Sequence, residues 1–219
     1  MLLYYITDRK QFRGPEARRR ELLLAKISEA ACAGVDYIQL REKDLAAREL
    51  ESLARDAVRV CRETRDQQRE TKLLINSRAD IAIVTGAAGI HLPSNDIPAS
   101  YARTIWSVAL TRNSQLETRT CIVAASCHSA DEVRLVQTEG ANFAVFGPVF
   151  EKVGTSLSVG LDALCAVCHV GQMPVLAIGG ITLENAGACL QAGAAGIAAI
   201  RLFQENAARE IVGKLRQLG

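Results

Sequence analysis

Residues 37–44 read YIQLREKD, and the side chains that would share one strand face there are of two kinds. Alternation puts Ile38 and Leu40 on one side and Tyr37, Gln39 and Arg41 on the other. An apolar face backed by a row of hydrogen-bond donors fits a sheet edge with one side in water. It fits equally a strand of a closed barrel, where helices cover one face and the other lines the interior. The remainder of the chain separates the two.

Further strand-like runs are LLYYITD (2–8), KLLINS (72–77), GIHLP (89–93), IVAASC (122–127), FAVFGP (143–148), VLAIGG (175–180) and GIAAIR (196–201). Segments with apolar residues at three- and four-residue steps lie between them, at 16–33, 46–66, 129–139, 159–169, 182–192 and 204–217. Strands alternating with helices pair in parallel, and eight such units in 219 residues predict one domain, 1–219, folded as a (β/α)8 TIM barrel. An open doubly wound sheet is the alternative, but no G-x-G-x-x-G follows the first strand. Residues 105–121 do not fit the alternation, and the helices after strands three and four read as short. A weak repeat, GVDYIQL (34–40), GAAGIHL (86–92), GANFAVF (140–146) and GAAGIAA (193–199), marks helix-to-strand turns at the bottom of the barrel. Function is then expected at the opposite end, where strands run out into βα loops.

Composition is that of a globular chain, with 49% hydrophobic and 23% charged residues. A net charge of +2 gives no argument for nucleic-acid binding, and Arg18–Arg20, flanked by Glu16 and Glu21, reads as a solvated helix face. The seven cysteines are odd in number and mostly sit in apolar settings, which argues against a disulfide framework. Cys165-x-x-Cys168-His169 mimics a metal or redox motif but lies in a helical period with no second pair at zinc spacing. MLLYYITD lacks the basic region and cleavage site of a secretion signal, and no apolar run reaches membrane-spanning length. A cytoplasmic protein is expected.

In a barrel, Gln39, Arg41 and Lys43 would line the mouth and suit an anionic ligand, with Glu42 an outward partner. Thr7, Asp8, Asn76, Ser77, Pro93 to Asp96, Ser126 and Cys127 also fall at strand ends. His91, between Ile90 and Leu92, reads as a core imidazole, whereas His128 begins a βα loop and can serve as acid or base. A polar residue at a helix start is the alternative for His128. Gly179 and Gly180 precede a helix whose amides could receive phosphate oxygens, with Ile200 and Arg201 beside them; a plain tight turn is the alternative.

YYITD, IQLREKD, LLINSRADIA, GAAGIHLPSND, SCHSADE, GANFAVFGPVF, PVLAIGGIT-x-x-N and GAAGIAAI follow one another in the order of a known family. The chain resembles the thiamine phosphate synthase superfamily, which includes thiazole tautomerases. The resemblance implies a barrel that binds a thiazole phosphate and, in synthases, a pyrimidine diphosphate, from which pyrophosphate is expelled with Mg²⁺ assistance before the thiazole nitrogen captures the cation. It implies substrate contacts from Gln39, Arg41, Lys43, Asn76, Ser126 and Gly147, and phosphate contacts from Gly179, Gly180, Ile200 and Arg201.

Departures from the synthase pattern shift the expectation. Ser77 replaces an aspartate that holds Mg²⁺, leaving Asp96 as the metal position, and Arg201 replaces a serine. The Thr-x-Thr-Lys run expected after G-P-V-F is absent, with Lys152 and Thr155 as the nearest replacements. The H-L-P-S and S-x-H-S wording at 91–94 and 126–129 resembles the tautomerase branch. The favoured expectation is therefore a tautomerase-type isomerase that uses His128 and needs no cofactor. The alternatives are a Mg²⁺-dependent synthase using Gln39 for the pyrimidine and Arg41 and Lys43 for pyrophosphate, and a non-catalytic phosphate-binding barrel. A homo-oligomer is compatible with any of the three.

Overall fold

The first strand pairs with the last. In a computed structural model, which describes residues 1–64, 70–112, 121–151 and 158–219, β1 (Leu2–Ile6) lies parallel to β8 (Gly196–Ala199) with Tyr4 opposite Ala198. Between them run β2 (Tyr37–Leu40), β3 (Lys72–Asn76), β4 (Gly89–Leu92), β5 (Ile122–Cys127), β6 (Phe143–Phe146) and β7 (Val175–Ile178), each parallel to its neighbours, in a closed barrel. Closure removes the sheet edge, so the edge-strand account of YIQLREKD fails and the barrel account holds.

Strand alternation divides the core in two. Tyr4, Ile6, Leu74, Ala124, Phe143, Val145, Leu176 and Ala198 fill the interior, where Tyr4 and Phe143 meet edge to face at 5.5 Å. Leu3, Tyr5, Ile38, Leu40, Leu73, Ile75 and Ile90 point outward into a second cluster shared with the helices. Burying each such large side chain stabilises the fold by about 1.5–3 kcal/mol.

The helical sheath is α1 (Glu16–Cys32), α2 (Ala47–Glu63), α3 (Ala79–Thr85), α4 (Ala99–Arg112), α5 (Ala130–Thr138), α6 (Gly160–Cys168), α7 (Leu183–Gln191), α8 (Arg201–Gln204) and α9 (Ala208–Arg216). Apolar spacing explains its seating: Leu50, Leu53, Ala54, Ala57, Val58 and Cys61 of α2, and Ala208, Ile211, Val212 and Leu215 of α9, are buried on one face each. Gly34, Gly86, Gly140 and Gly193, the repeated glycines, all take positive φ at the turns leading into β2, β4, β6 and β8.

The structure corrects several boundaries. Seven strands stop one or two residues before the expected end, because those last residues leave the ladder for the mouth. The helix after β4 has 14 residues, not a short run, and takes in residues 105–112; residues 113–120 lie outside the described residues. Its period was blurred because apolar residues occupy both faces: Ala99, Ala102 and Trp106 are buried while Tyr101, Ile105 and Val108 are exposed. The final segment begins with a separate short helix at Arg201. Among the described residues no helix is long and apolar enough to cross a membrane.

Candidate active site at the barrel mouth

The inward positions at the strand ends carry polar side chains where those below them are apolar. Gln39 on β2 is 1% exposed and donates Nε2–H to Asn76 Oδ1 at 2.8 Å, while Asn76 Nδ2 donates to Ser77 Oγ at 3.0 Å. Gln39 Oε1 is buried with no hydrogen-bond partner among the described residues. A buried acceptor left unpaired is costly in a scaffold and suits a site that a ligand donor completes. Ser77 sits at φ 60, its amide donating to His91 O at 2.9 Å.

His91 is 2% exposed and bonded at both ring nitrogens, Nδ1 to Tyr4 Oη at 3.1 Å and Nε2 to Ser126 Oγ at 2.8 Å. Burial, assisted by the Arg41 charge, holds its pKa down to about 3, so the ring is neutral. The core-imidazole expectation stands.

A charge cluster closes the corner between β1 and β2. Arg9, 4% exposed, places Nη1 3.1 Å from Glu42 Oε2, grips Asp44 through Nη1 and Nη2 at 2.7 and 2.9 Å, and reaches Glu16 at 2.6 Å through Nε. Glu42 also accepts from Thr7 Oγ1 at 2.6 Å, and Thr7 Oγ1 in turn accepts the Arg41 amide at 3.0 Å. Burial raises the Glu42 pKa despite Arg9, whereas Arg9 is held further toward its charged form chiefly by Asp44, its bidentate partner. Glu42 is thus the structural partner expected, though buried. The role of Arg9 is not legible in the sequence, because nothing local in TDRKQ points to carboxylates more than 30 residues away.

Arg41 is half-buried and Lys43 exposed, and neither has an ion-pair partner among the described residues. Their cationic groups contrast with the neutralised guanidinium next door.

On the other side of the mouth, His128 is exposed at the end of β5 and its Nδ1 lies 2.5 Å from Gly147 O, so Nδ1 carries the proton and Nε2 is left for other contacts. Ser129 caps α5 by accepting from the Glu132 amide, and Glu132 accepts from the His128 amide at 2.7 Å. Gly147 lies so close to β7 that a Cβ would stand 2.0 Å from Ile178 O. Gly179 and Gly180, at φ 99 and 62, seat the loop after β6: Val149 and Phe150 donate to Ile178 O and Gly179 O, and a Cβ on Gly180 would meet Glu151 O at 2.6 Å. The tight-turn account of this pair therefore has a packing basis alongside the phosphate account. The amides of Gly180 and Ile181 meet no acceptor among the described residues. Arg201 is 64% exposed and leans toward Glu205 at 3.9 Å.

Asp96 is half-buried with Oδ1 accepting from the Ile97 amide at 2.8 Å. Among the described residues no three His, Cys, Asp or Glu side chains stand close enough to form a complete metal cage. Lys152 and Thr155 lie outside the described residues.

Comparison with known proteins gives this mouth a context. A family model for thiamine monophosphate synthase matches residues 3–203. A Geobacter sulfurreducens protein, provisionally named a thiamine-phosphate synthase, is 38% identical over 201 residues, covering 90% of this chain and 84% of that one. The thiamine-phosphate synthase of Chlorobium luteolum is 35% identical over 197 residues, covering 86% and 85%. The solved thiamine phosphate pyrophosphorylase from Pyrococcus furiosus superposes with a TM-score of 0.79 at 28% identity, over 99% of this chain and 94% of that one.

Proposed function

The chain belongs to the thiamine monophosphate synthase family, and from that premise we propose that it is a thiamine-phosphate synthase: a transferase that joins a pyrimidine diphosphate to a thiazole phosphate and releases pyrophosphate. This reverses the order of preference drawn from the sequence, which ranked the tautomerase first on its H-L-P-S and S-x-H-S wording. The relatives carry the synthase name, and the observation that bears most weight is the pairing of a buried, unsatisfied Gln39 Oε1 with an unneutralised Arg41 at one mouth. An isomerase that handles a single phosphate has no evident need of both.

In this mechanism Gln39 Oε1 accepts an N–H of the pyrimidine, and Arg41 and Lys43 hold the diphosphate. The bond between the pyrimidine methylene carbon and the diphosphate oxygen breaks with its electron pair leaving on pyrophosphate. The thiazole nitrogen lone pair then forms the new C–N bond, so the two ring systems gain one bond and lose one. Asn76 borders the pyrimidine and Ser126 the diphosphate, with Gly147 at the edge of the pocket, and the amides after Gly179 receive the thiazole phosphate. Fixed donors around the departing pyrophosphate need little reorganisation, which is how such a site lowers a barrier.

The donor set fits Mg²⁺ that arrives on a diphosphate, since such an ion takes one or two protein carboxylates and completes its shell with phosphate oxygens and water. Asp96 would hold it, and the ion would neutralise charge on the leaving group. A free ion is poorly served by one carboxylate and a neutral Ser77 hydroxyl. Ser77→Asp, on a backbone at φ 60 that aspartate tolerates, should lower the Mg²⁺ concentration that supports half-maximal rate. An unchanged Mg²⁺ titration would remove Ser77 from the metal's surroundings.

The test is an assay of purified protein with Mg²⁺, pyrimidine diphosphate and thiazole phosphate, read as thiamine phosphate formation. Product that disappears with a chelator and returns with Mg²⁺ is expected. Thiazole isomerisation without thiamine phosphate would instead favour a second reading, which draws on the anchored His128 ring with its open Nε2. Under the synthase reading the chain acts as one cytoplasmic domain on small phosphorylated substrates.

A further inference from the structure

The Tyr4–His91–Ser126 chain crosses the barrel interior and ends at the mouth, and its hydrogen bonds have a direction that the heavy-atom positions imply. We propose that Tyr4 fixes His91 as the Nε2–H tautomer and thereby makes the Ser126 hydroxyl a committed donor, aimed at an acceptor oxygen of the ligand in the mouth. The nature of that ligand rests on the synthase reading; the direction of the chain does not.

Tyr4 is 0% exposed and walled by Tyr37, Phe143 and the His91 ring at centroid distances of 5.9, 5.5 and 5.8 Å. Its hydroxyl makes one hydrogen bond among the described residues, to His91 Nδ1 at 3.1 Å. A phenol carries one proton, and in an apolar cage that proton needs an acceptor. Nδ1 is the acceptor within reach, so Nδ1 must be unprotonated. The reverse arrangement, Nδ1–H donating to Tyr4 Oη, would leave the phenol proton facing aromatic carbon.

A neutral imidazole without a proton on Nδ1 carries it on Nε2. Nε2–H then donates to Ser126 Oγ at 2.8 Å. The doubly protonated ring, which would donate at both ends, is disfavoured by burial and by the Arg41 charge, which together hold its pKa down to about 3. With His91 as donor, the Ser126 hydroxyl cannot spend its own proton on the ring. Ser126 is half-buried at the end of β5, and its O–H is free to turn toward the mouth. A serine bonded to an unprotonated Nε2 would present only lone pairs there and would oppose an anion. Tyr4 and His91, both out of reach of a ligand, act as positioning residues that set the sign of the serine.

The decisive measurement is the His91 tautomer, read from the nitrogen chemical shifts of ¹⁵N-histidine-labelled protein by long-range ¹H–¹⁵N correlation. The wild type should show protonated Nε2 and unprotonated Nδ1 across the neutral range; a protonated Nδ1 overturns the proposal. Tyr4→Phe keeps the ring and its packing but removes the donor, and the Nδ1–H form should become populated. Inorganic pyrophosphate serves as the binding probe. Ser126→Ala should weaken it about tenfold or more, the worth of one hydrogen bond to a charged group. Tyr4→Phe should weaken it by no more than that, and should add nothing in the Ser126→Ala background. Independent, additive losses in the double variant would mean that Tyr4 acts through packing and would refute the relay. If the wild type shows the Nε2–H tautomer yet does not bind pyrophosphate, the relay is sustained and the synthase reading is the one that fails.

Discussion

Two arginines flank the β1–β2 corner in opposite circumstances. Arg9 is buried and meets three carboxylates, Glu16, Glu42 and Asp44, at 2.6 to 3.1 Å. Arg41, two residues beyond Gln39, is half-buried and meets none among the described residues. Its field is nonetheless felt inside the barrel, where it helps to hold the His91 ring neutral. The first region shows what charge does when a fold uses it for itself: acceptors surround it, and Thr7 and Glu42 transmit that order to the Arg41 amide. The second shows a charge held in place by the first and left for something else. An unpaired cation beside an unpaired amide acceptor is poor scaffold chemistry and sound ligand chemistry.

The contrast breaks most visibly at Glu42. Glu42→Ala strips one carboxylate from a buried guanidinium and the acceptor from Thr7, and losing one partner of a buried pair costs about 3 kcal/mol. Urea unfolding should show that loss as a lower midpoint at unchanged slope. A cost below about 1 kcal/mol, the range of a surface ion pair, would mean that the corner does not act as a scaffold.

How much of this was legible beforehand follows from range. The eight strands were legible because a period of two over four to six residues is a local signal, and the barrel followed from their number. His91 was legible for the same reason, since Ile90 and Leu92 must face outward and send the imidazole inward. Gln39, Arg41 and Asn76 fall at or just past the ends of β2 and β3, a position that the strand pattern alone makes legible. What escaped depends on contacts distant in sequence. Arg9 pairs with Glu42 and Asp44, and Tyr4 reaches His91 across 87 positions, so no window of sequence contains either relation. The helix over 99–112 escaped because its apolar residues do not keep to one face.

The second way to sharpen the comparison removes the other arginine. Arg41→Gln deletes a charge with no partner to strand, so unfolding free energy should stay within about 0.5 kcal/mol of the wild type. Pyrophosphate affinity should fall by about 2 kcal/mol, roughly thirtyfold, because a hydrogen-bonded charge pair with the ligand is lost. Calorimetric titration beside urea unfolding of the same variant measures both. A variant that loses stability but keeps its affinity would exchange the roles assigned to the two arginines.

The smallest effect lies in the outermost member of the paired region. Hydrogen bonds from Arg9, assisted by Lys10, hold the Asp44 carboxyl well below the usual aspartate range. A depressed folded-state pKa means that the ionised form is favoured by folding, so its contribution is complete above the unfolded value of about 4 and fades as pH falls toward the folded one. Because 39% of the Asp44 side chain is exposed, solvent screens the pair and the contribution at neutral pH should not exceed about 1 kcal/mol. The difference in unfolding free energy between wild type and Asp44→Asn should therefore be small and constant from pH 7 to about 5, then shrink through the acid limb below about pH 4. Glu42 should behave oppositely. Burial raises its pKa, so Glu42→Gln should gain on the wild type as pH rises through and above the ordinary glutamate range. Two carboxylates on one guanidinium would then show stability profiles of opposite slope, one governed by hydrogen bonding at the rim and the other by desolvation beneath it. Parallel slopes for the two variants would show that the corner behaves as a single averaged charge cluster, and the distinction between its buried and exposed halves would fall.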